Sequence, residues 1–388
     1  MRLRPIVWIN AALVFPAVLS VYAGIRNSLS RSQDFQWSGA HLALQHVDPY
    51  SQFLRHDPEN RVLLSQVPNY LHELYILLLP LGCLSFSHAK PIWAILNCLF
   101  AVLIALVLRR IYDLPHSQAL LLLLLLFAGT PFRIVLGNGQ QSLLELLLFC
   151  LIFYFTRPTG QGIALGLSYS KYSFSPVVFL YLFFCRRFRV LAISLALPLL
   201  GLLAMGLLVH GSLLTLSTEP LAVSRTDTIN GLGNLMTIIQ IACRNVLSVP
   251  LTQKIMAAAA LLASVVFTFA LSRQQEISPR RDAAALAIAT LMFFPHRTYD
   301  YVFLAIPLAA ALATPLLRTK AYILTTVALL WFGIKLIPTS LPPGMQLIEQ
   351  MTVFLLLSGI LMLVSRNILV LQSDTADSCS RDNLVEIV

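Results

Sequence analysis

Charge is what this chain has least of. Only 11% of its 388 residues are Asp, Glu, Lys or Arg, where a soluble globular chain carries roughly 25%. So few charges cannot cover a water-facing surface. With 57% of the residues hydrophobic, most of the chain must be solvated by lipid. Soluble enzymes, nucleic-acid modules and disordered tails are thereby excluded as descriptions of the whole. Cysteine is sparse as well. Cys83, Cys98, Cys150, Cys185, Cys243 and Cys379 are scattered, with no CxxC and no metal-ligand spacing, so neither a disulfide framework nor a zinc site is indicated. There is no repeat of fixed period, and no low-complexity tract beyond the leucine run at 120–126.

What is present is a ladder of apolar runs with basic clusters between them. The runs lie near 6–24, 71–86, 91–108, 118–134, 141–156, 162–185, 189–209, 250–272, 283–295, 299–316, 320–337 and 348–366, and runs of about 20 apolar residues cross a bilayer as helices. The first run is longer than a cleaved signal needs, which predicts a retained first span. The net charge of +10 is carried by clusters such as Arg109/Arg110, Arg186/Arg187/Arg189, Arg280/Arg281 and Arg318/Lys320. The positive-inside rule asks all of these to be cytoplasmic. Two segments break simple parity. The run 71–86 holds His72, Glu73 and Pro80 and reads as an interfacial or re-entrant helix that does not cross. The stretch 157–189 is basic at both ends and too short for two full spans, which predicts two half-length helices, 160–167 and 174–184, meeting at Lys171. The expected organisation is a single transmembrane unit over 1–366, with outer loops at 25–70 and 210–249, both termini cytoplasmic and a tail at 367–388.

Polar residues that lipid should exclude then collect at the outer helix ends, where a charge persists only if it faces a wet cavity. Asp34 is either a plain loop carboxylate or a base; its neighbours Phe35 and Trp37 could shield a site and stack on a sugar. Asp48-Pro49-Tyr50 is a turn signal or a binding element. Gln141 and Glu145 share a helix face and either satisfy each other or face a ligand. Lys171, with no carboxylate close in sequence, points to an anion site. His296, Arg297 and Asp300 are interfacial snorkelers or functional groups.

Four stretches in order carry a family resemblance. Asp34 to Tyr50 resembles the first outer loop of glycosyltransferase family 87: an Asp, an aromatic, a small-residue helix, then an Asp-Pro-Tyr turn, here preceded by Val47 in place of Gly. Gly137-Asn-Gly-Gln-Gln141 resembles that family's polar entry to a helix. Gly162-Ile-Ala-Leu-Gly-Leu-Ser-Tyr-Ser-Lys171 and Phe294-Pro-His-Arg-Thr-Tyr-Asp-Tyr301 resemble its later segments. The order and spacing hold over roughly 5–320.

The resemblance implies an all-α polytopic membrane protein, a GT-C-like bundle of about 10–12 transmembrane helices. It further implies catalysis on the periplasmic face of a bacterial inner membrane, with a polyprenyl-phosphate sugar as donor. Such a donor leaves as an anion, so it needs fixed cations more than a general acid, and one carboxylate suffices as base on the acceptor hydroxyl. No Asp-x-Asp motif is present, in keeping with a donor that brings no diphosphate-bound metal, and no cofactor is expected. The leading reading is an inverting transferase of mannose or a related sugar to a lipid- or glycan-type acceptor. Asp34 is the expected base. Lys171, Arg297 and His296 are expected on the donor phosphate, and Asp48, Tyr50, Asn138, Gln140, Gln141 and Asp300 on sugar or acceptor. The rivals are a transporter or flippase of lipid-linked anions, whose inverted-repeat hydropathy is not found, and a non-catalytic envelope scaffold.

Overall fold

The computed structural model describes residues 4–31, 34–55, 66–225, 231–274, 278–333 and 341–382. Helix makes up 82% of it, with no strand among the described residues. The first half runs α1 (Arg4–Arg31), α2 (Trp37–Leu44), α3 (Pro49–Leu54), α4 (His72–Gly82), α5 (Phe86–Tyr112), α6 (His116–Ala128), α7 (Thr130–Asn138), α8 (Ser142–Tyr154) and α9 (Pro158–Ser168). The second runs α10 (Ser175–Phe184), α11 (Phe188–Val209), α12 (Leu213–Ser224), α13 (Leu235–Cys243), α14 (Val249–Ser272), α15 (Pro279–Phe293), α16 (Ala305–Ala313), α17 (Leu317–Ala328) and α18 (Pro343–Asp382). Short 3₁₀ turns stand at Tyr169–Lys171 and Thr298–Leu304.

The apolar runs are of two kinds. Among the described residues, five helices are long and apolar enough to cross a bilayer: Ile6–Ser30, Phe86–Tyr112, Phe188–Val209, Val249–Ser272 and Gly344–Ser365. The pair α6 and α7, bent by 59° at Gly129, is apolar enough together to be either a broken sixth span or a re-entrant loop. These helices are only partly enclosed, and Trp8, Phe15, Ile95, Leu199, Leu207 and Leu262 present exposed apolar surface, as lipid-facing positions should. The second kind is short and enclosed. On α15 every residue from Arg281 to Phe293 is buried, and α8 and α16 are buried along nearly their whole lengths. Alanines at 283, 284, 285, 287 and 289 let neighbours approach α15 closely, the usual device where helices pack without a hydrophobic driving force. The protein is thus an all-α polytopic membrane protein with inner helices ringed by longer lipid-facing ones.

Hydrogen bonds define the two ends of the bundle. At one end the Arg280 Nε donates to the Ile111 carbonyl and the Tyr112 hydroxyl to the Arg280 carbonyl, while Tyr181 donates to the buried Asp282, which also pairs with Arg281. The basic clusters of the α5–α6 and α14–α15 connections lie here. At the other end the loops around 34–37, 66–71, 138–142, 169–174 and 294–300 are joined to one another, as set out below.

Two local features place the key segments. The run 162–185 is broken, with α9 and α10 meeting at the Tyr169–Lys171 turn and α10 restarting at Ser175-Pro176. The break is held because α9 lies tight on α11. A Cβ at Gly162 would come within 2.9 Å of the Val190 carbonyl oxygen, and one at Gly166 within 2.7 Å of that of Ser194. Gly139, at φ 68°, ends α7 in the left-handed region that glycine adopts without cost and turns the chain into α8. The segment 71–86 forms α4, 11 residues long and too short to span alone. It packs against α2 and α11.

Candidate active site

Asp34 stands just ahead of α2 and is 3% exposed. Its Oδ1 accepts the Ser38 backbone N–H at 3.1 Å, and the amides of Gln36 and Trp37 also face it. Burial outweighs these amides and pushes the carboxyl up to about 7, a value suited to a base working near neutrality. The turn is backbone-strained. Gln36 has φ 68°, a conformation costing a non-glycine residue roughly 1–2 kcal/mol. Its side chain holds it there, donating from Nε2 to the Val67 carbonyl and accepting the Tyr75 hydroxyl at Oε1, both at 3.1 Å.

The start of α8 is the hub of the site. Gln141 Nε2 donates to the Phe35 carbonyl at 2.5 Å, fixing the peptide beside Asp34. The next residue, Ser142, donates its hydroxyl to Asp300 Oδ1 at 2.5 Å and accepts from Lys171 Nζ at 3.2 Å. One turn further on, Glu145 accepts the Ser170 hydroxyl at 2.5 Å. Four bonds from three residues of one helix start therefore join the Asp34 turn, the broken helix pair and the 298–304 turn. Gln141 and Glu145 each serve a different partner and do not satisfy each other.

Lys171 does have a carboxylate partner, one that lies 129 residues away in sequence. Its Nζ sits 2.5 Å from Asp300 Oδ1 and lies over the rings of Phe174 and Tyr299, 4.7 and 5.2 Å from their centroids. An ammonium has three N–H groups. Asp300 and Ser142 take two, and the third is available to a ligand. Asp300 is fully engaged: beyond Lys171 and Ser142 on Oδ1, its Oδ2 accepts the Arg297 backbone N–H at 2.9 Å. It orients Lys171 and caps the 298–304 turn.

The other expected site residues divide. Arg297 is exposed at the edge of this cluster, and His296 is buried with its Nδ1 3.3 Å from the Phe294 carbonyl and its ring edge-on to Tyr301. Burial holds the His296 ring below its ordinary range, so near neutrality it brings hydrogen bonds and no charge to the site. Gln140 is buried beside Gln141. Asn138 ends α7, and its carbonyl accepts from Gln66 Nε2 at 3.1 Å. Asp48 caps α3 by accepting the Tyr50 N–H at 2.9 Å, and the wholly buried Tyr50 donates its hydroxyl to the Tyr70 carbonyl at 2.7 Å. Asp48 also shares a side-chain hydrogen bond with Glu219 on α12. Phe35 and Trp37 do not offer a face to a sugar. Phe35 is stacked on Trp93 at 5.2 Å and Trp37 on His41 at 4.5 Å, both inside the protein. They seal the back of the Asp34 turn.

Ser142, Ser170 and Tyr75 were missed by sequence reasoning. Their types are common in membrane helices, and what makes them part of the site is a partner far along the chain. A weak signal exists for Ser142, which follows the polar entry Gly137–Gln141 directly.

Fold and site together define a polytopic membrane protein with a buried carboxylate and a lysine–aspartate pair gathered at one end of its inner helices. The sequence profile of glycosyltransferase family 87 matches residues 74–295, more than half of the chain, and the chain belongs to that family. It is therefore a glycosyltransferase of the membrane, acting between a sugar donor and an acceptor. No curated protein and no solved structure matches it. The matched stretch holds Gln141, Ser142, Glu145 and Lys171. Asp34 lies well before it and the 296–300 segment directly after it, and both are tied to it by the bonds described.

Proposed function

We propose that this protein transfers a hexose, mannose or a related sugar, from a polyprenyl-phosphate donor to a hydroxyl of a lipid- or glycan-type acceptor, with inversion, on the periplasmic face of a bacterial inner membrane. In this reading Asp34 takes the proton of the acceptor hydroxyl as its oxygen attacks the anomeric carbon. The bond from that carbon to the phosphate oxygen breaks on the opposite side, and the polyprenyl phosphate departs with the electron pair. The free N–H of Lys171 and the planar fork of Arg297 receive the growing negative charge. Asp300 and Ser142 fix the ammonium beforehand, so little reorganisation accompanies charge development. The donor's tail favours a site between helices at a membrane face, where it can stay in lipid while its headgroup reacts.

The observation that carries this reading is the bridge from Asp34 to Lys171 through two adjacent residues. Gln141 holds the peptide next to Asp34 and Ser142 holds Lys171, so a base and a cation are positioned from one rigid helix start. The test is chemical. A strain lacking the protein should accumulate the unglycosylated acceptor lipid or glycan, seen by mass spectrometry as a species one hexose lighter than its wild-type counterpart. Purified protein with a polyprenyl-phosphate hexose should restore that mass. Restoration by a nucleotide sugar alone would assign a different donor.

A further inference from the structure

Four buried acceptor atoms beside Lys171 meet no donor in the protein. Glu145 on α8 is fully buried; Oε1 takes the Ser170 hydroxyl, and Oε2 has no partner. Glu73, in the first turn of α4, is 5% exposed, and neither of its carboxylate oxygens meets a donor beyond its own backbone amide. Gln141, one turn before Glu145 on the same helix face, spends its N–H on Phe35 and leaves Oε1 without a donor. Burying polar atoms unpaired is costly, and native proteins leave few such groups without a reason.

The atoms are drawn together by the broken helix pair. Ser170 receives α4 as well as α8: its carbonyl accepts the Leu71 N–H at 3.1 Å, while its hydroxyl serves Glu145. The first turn of α4 is thereby stitched to the turn that carries Lys171. Glu73 comes close enough for its charge to act on Glu145, and Lys171 acts on Glu145 as well. The close approach of α11, where Gly201 leaves no room for a Cβ against the Glu73 backbone, fixes α4 from behind.

We propose that Glu73, Glu145 and Gln141 form a hydroxyl-binding subsite for the hexose ring of the donor. Gln141 Oε1 can only accept, while burial pushes Glu73 up to about 7 and Glu145 to about 8, so each carboxyl accepts when ionised and donates when protonated; the ligand that suits the set carries groups that do both. The ionised phosphodiester of the donor brings no donor at all, and a metal cation is disfavoured by the Lys171 ammonium one residue from Ser170. A hexose brings several hydroxyls around one ring, and carboxylates are strong, geometrically selective acceptors for them. The inference rests on the polyprenyl-phosphate-sugar reading. With the phosphate at Lys171, the sugar lies within one ring's reach of Ser170, where Glu145 points. Unpaired carboxylates held ready for hydroxyls also give discrimination, because a sugar lacking the hydroxyl leaves them unsatisfied.

The test uses the full-length protein in detergent, with Glu73→Gln and Glu145→Gln, and compares transfer from polyprenyl-phosphate mannose with transfer from its mono-deoxy analogues. Each variant should lose about 10–100-fold in kcat/KM on the complete donor, the range for a hydrogen bond to a charged group. On the analogue lacking the hydroxyl it serves, the variant should differ little from wild type. Each variant should melt no lower than wild type, since the change removes an unpaired buried carboxylate. A merely structural role would instead lower the melting temperature and leave the deoxy comparison flat. Wild-type efficiency of both variants on the complete donor would overturn the subsite while leaving the donor reading intact. An equal loss on every deoxy analogue in wild type and variants would overturn it too, as would activity that depends on an added metal cation through Glu73. Failure of the wild-type protein to use any polyprenyl-phosphate sugar would remove the donor reading and the subsite together.

Discussion

Breaking the Lys171–Asp300 pair separates what the lysine does for the fold from what it does for chemistry. Asp300 is 1% exposed and the Lys171 side chain 13%, so Lys171→Met leaves a buried carboxylate without its counter-charge. Removing one partner of a buried pair typically costs about 3–5 kcal/mol. Here the Ser142 hydroxyl and the Arg297 amide still donate to Asp300, which places the expected loss at the lower end, about 3 kcal/mol. Asp300→Asn strands the ammonium, which retains some access to water, and should cost less. The double variant leaves no uncompensated charge at the pair and should regain most of the lost stability, giving a coupling of about 1.5–3 kcal/mol in a double-mutant cycle read by denaturation in detergent. Transfer should not return with it. Loss of a preorganised cation costs about 100-fold or more in turnover, and the double variant should stay as slow as Lys171→Met. A coupling near zero would refute the buried pair. A stable double variant that turns over at the wild-type rate would refute the lysine's role in the reaction.

Gln141→Ala removes the bond to the buried Phe35 carbonyl, so kcat should fall about 10-fold or more and the melting temperature should drop with the loss of a buried hydrogen bond worth about 1–3 kcal/mol; an unaltered kcat would show that the Asp34 turn holds itself. Cysteine labelling of intact cells should reach Ser212→Cys, exposed at the α11–α12 connection, and should miss Arg157→Cys, exposed at the start of α9; the reverse pattern would place the site end of the bundle in the cytoplasm. The Asp34 carboxyl is raised from 3.8 to about 7 by burial, so transfer should climb as pH rises through 7 and the base ionises. The same shift opposes folding progressively as pH rises from 3.8 to 7 and then levels off. Asp34→Asn, whose amide oxygen can still accept the Ser38 N–H, should therefore gain melting temperature over wild type above pH 7 and little below pH 4; an advantage that does not grow with pH would mean Asp34 is not buried as a carboxylate.

The long lipid-facing helices were legible because hydrophobic runs of bilayer length have one stable solution in lipid, and α5, α11 and α14 fall close to their expected ranges. The break at Lys171 was legible from charge alone, since two basic ends of one apolar run demand it. The sequence could not reveal that α8 and α15 are enclosed on all sides, because an apolar residue facing protein reads like one facing lipid. Partners far apart in sequence were equally invisible: Lys171 and Ser142 meet Asp300 across 129 and 158 residues, and no local pattern encodes that. Phe35 and Trp37 were misjudged for a related reason. An aromatic beside a carboxylate suits a sugar platform, but Trp93 and Phe86, from elsewhere in the chain, and His41, one turn on along α2, cover them first.

The central claim is that Asp34 is the base of a sugar transfer organised from the start of α8. It is tested most directly by measuring, in one preparation of Asp34→Asn, both the binding of a polyprenyl-phosphate hexose and its transfer to acceptor. The variant keeps the shape of the side chain and an oxygen for the Ser38 amide, so donor affinity should stay within a few-fold of wild type while transfer falls by about 100-fold or more, the scale for losing a positioned base. Wild-type turnover in the variant would contradict the claim and return Asp34 to the role of a helix cap.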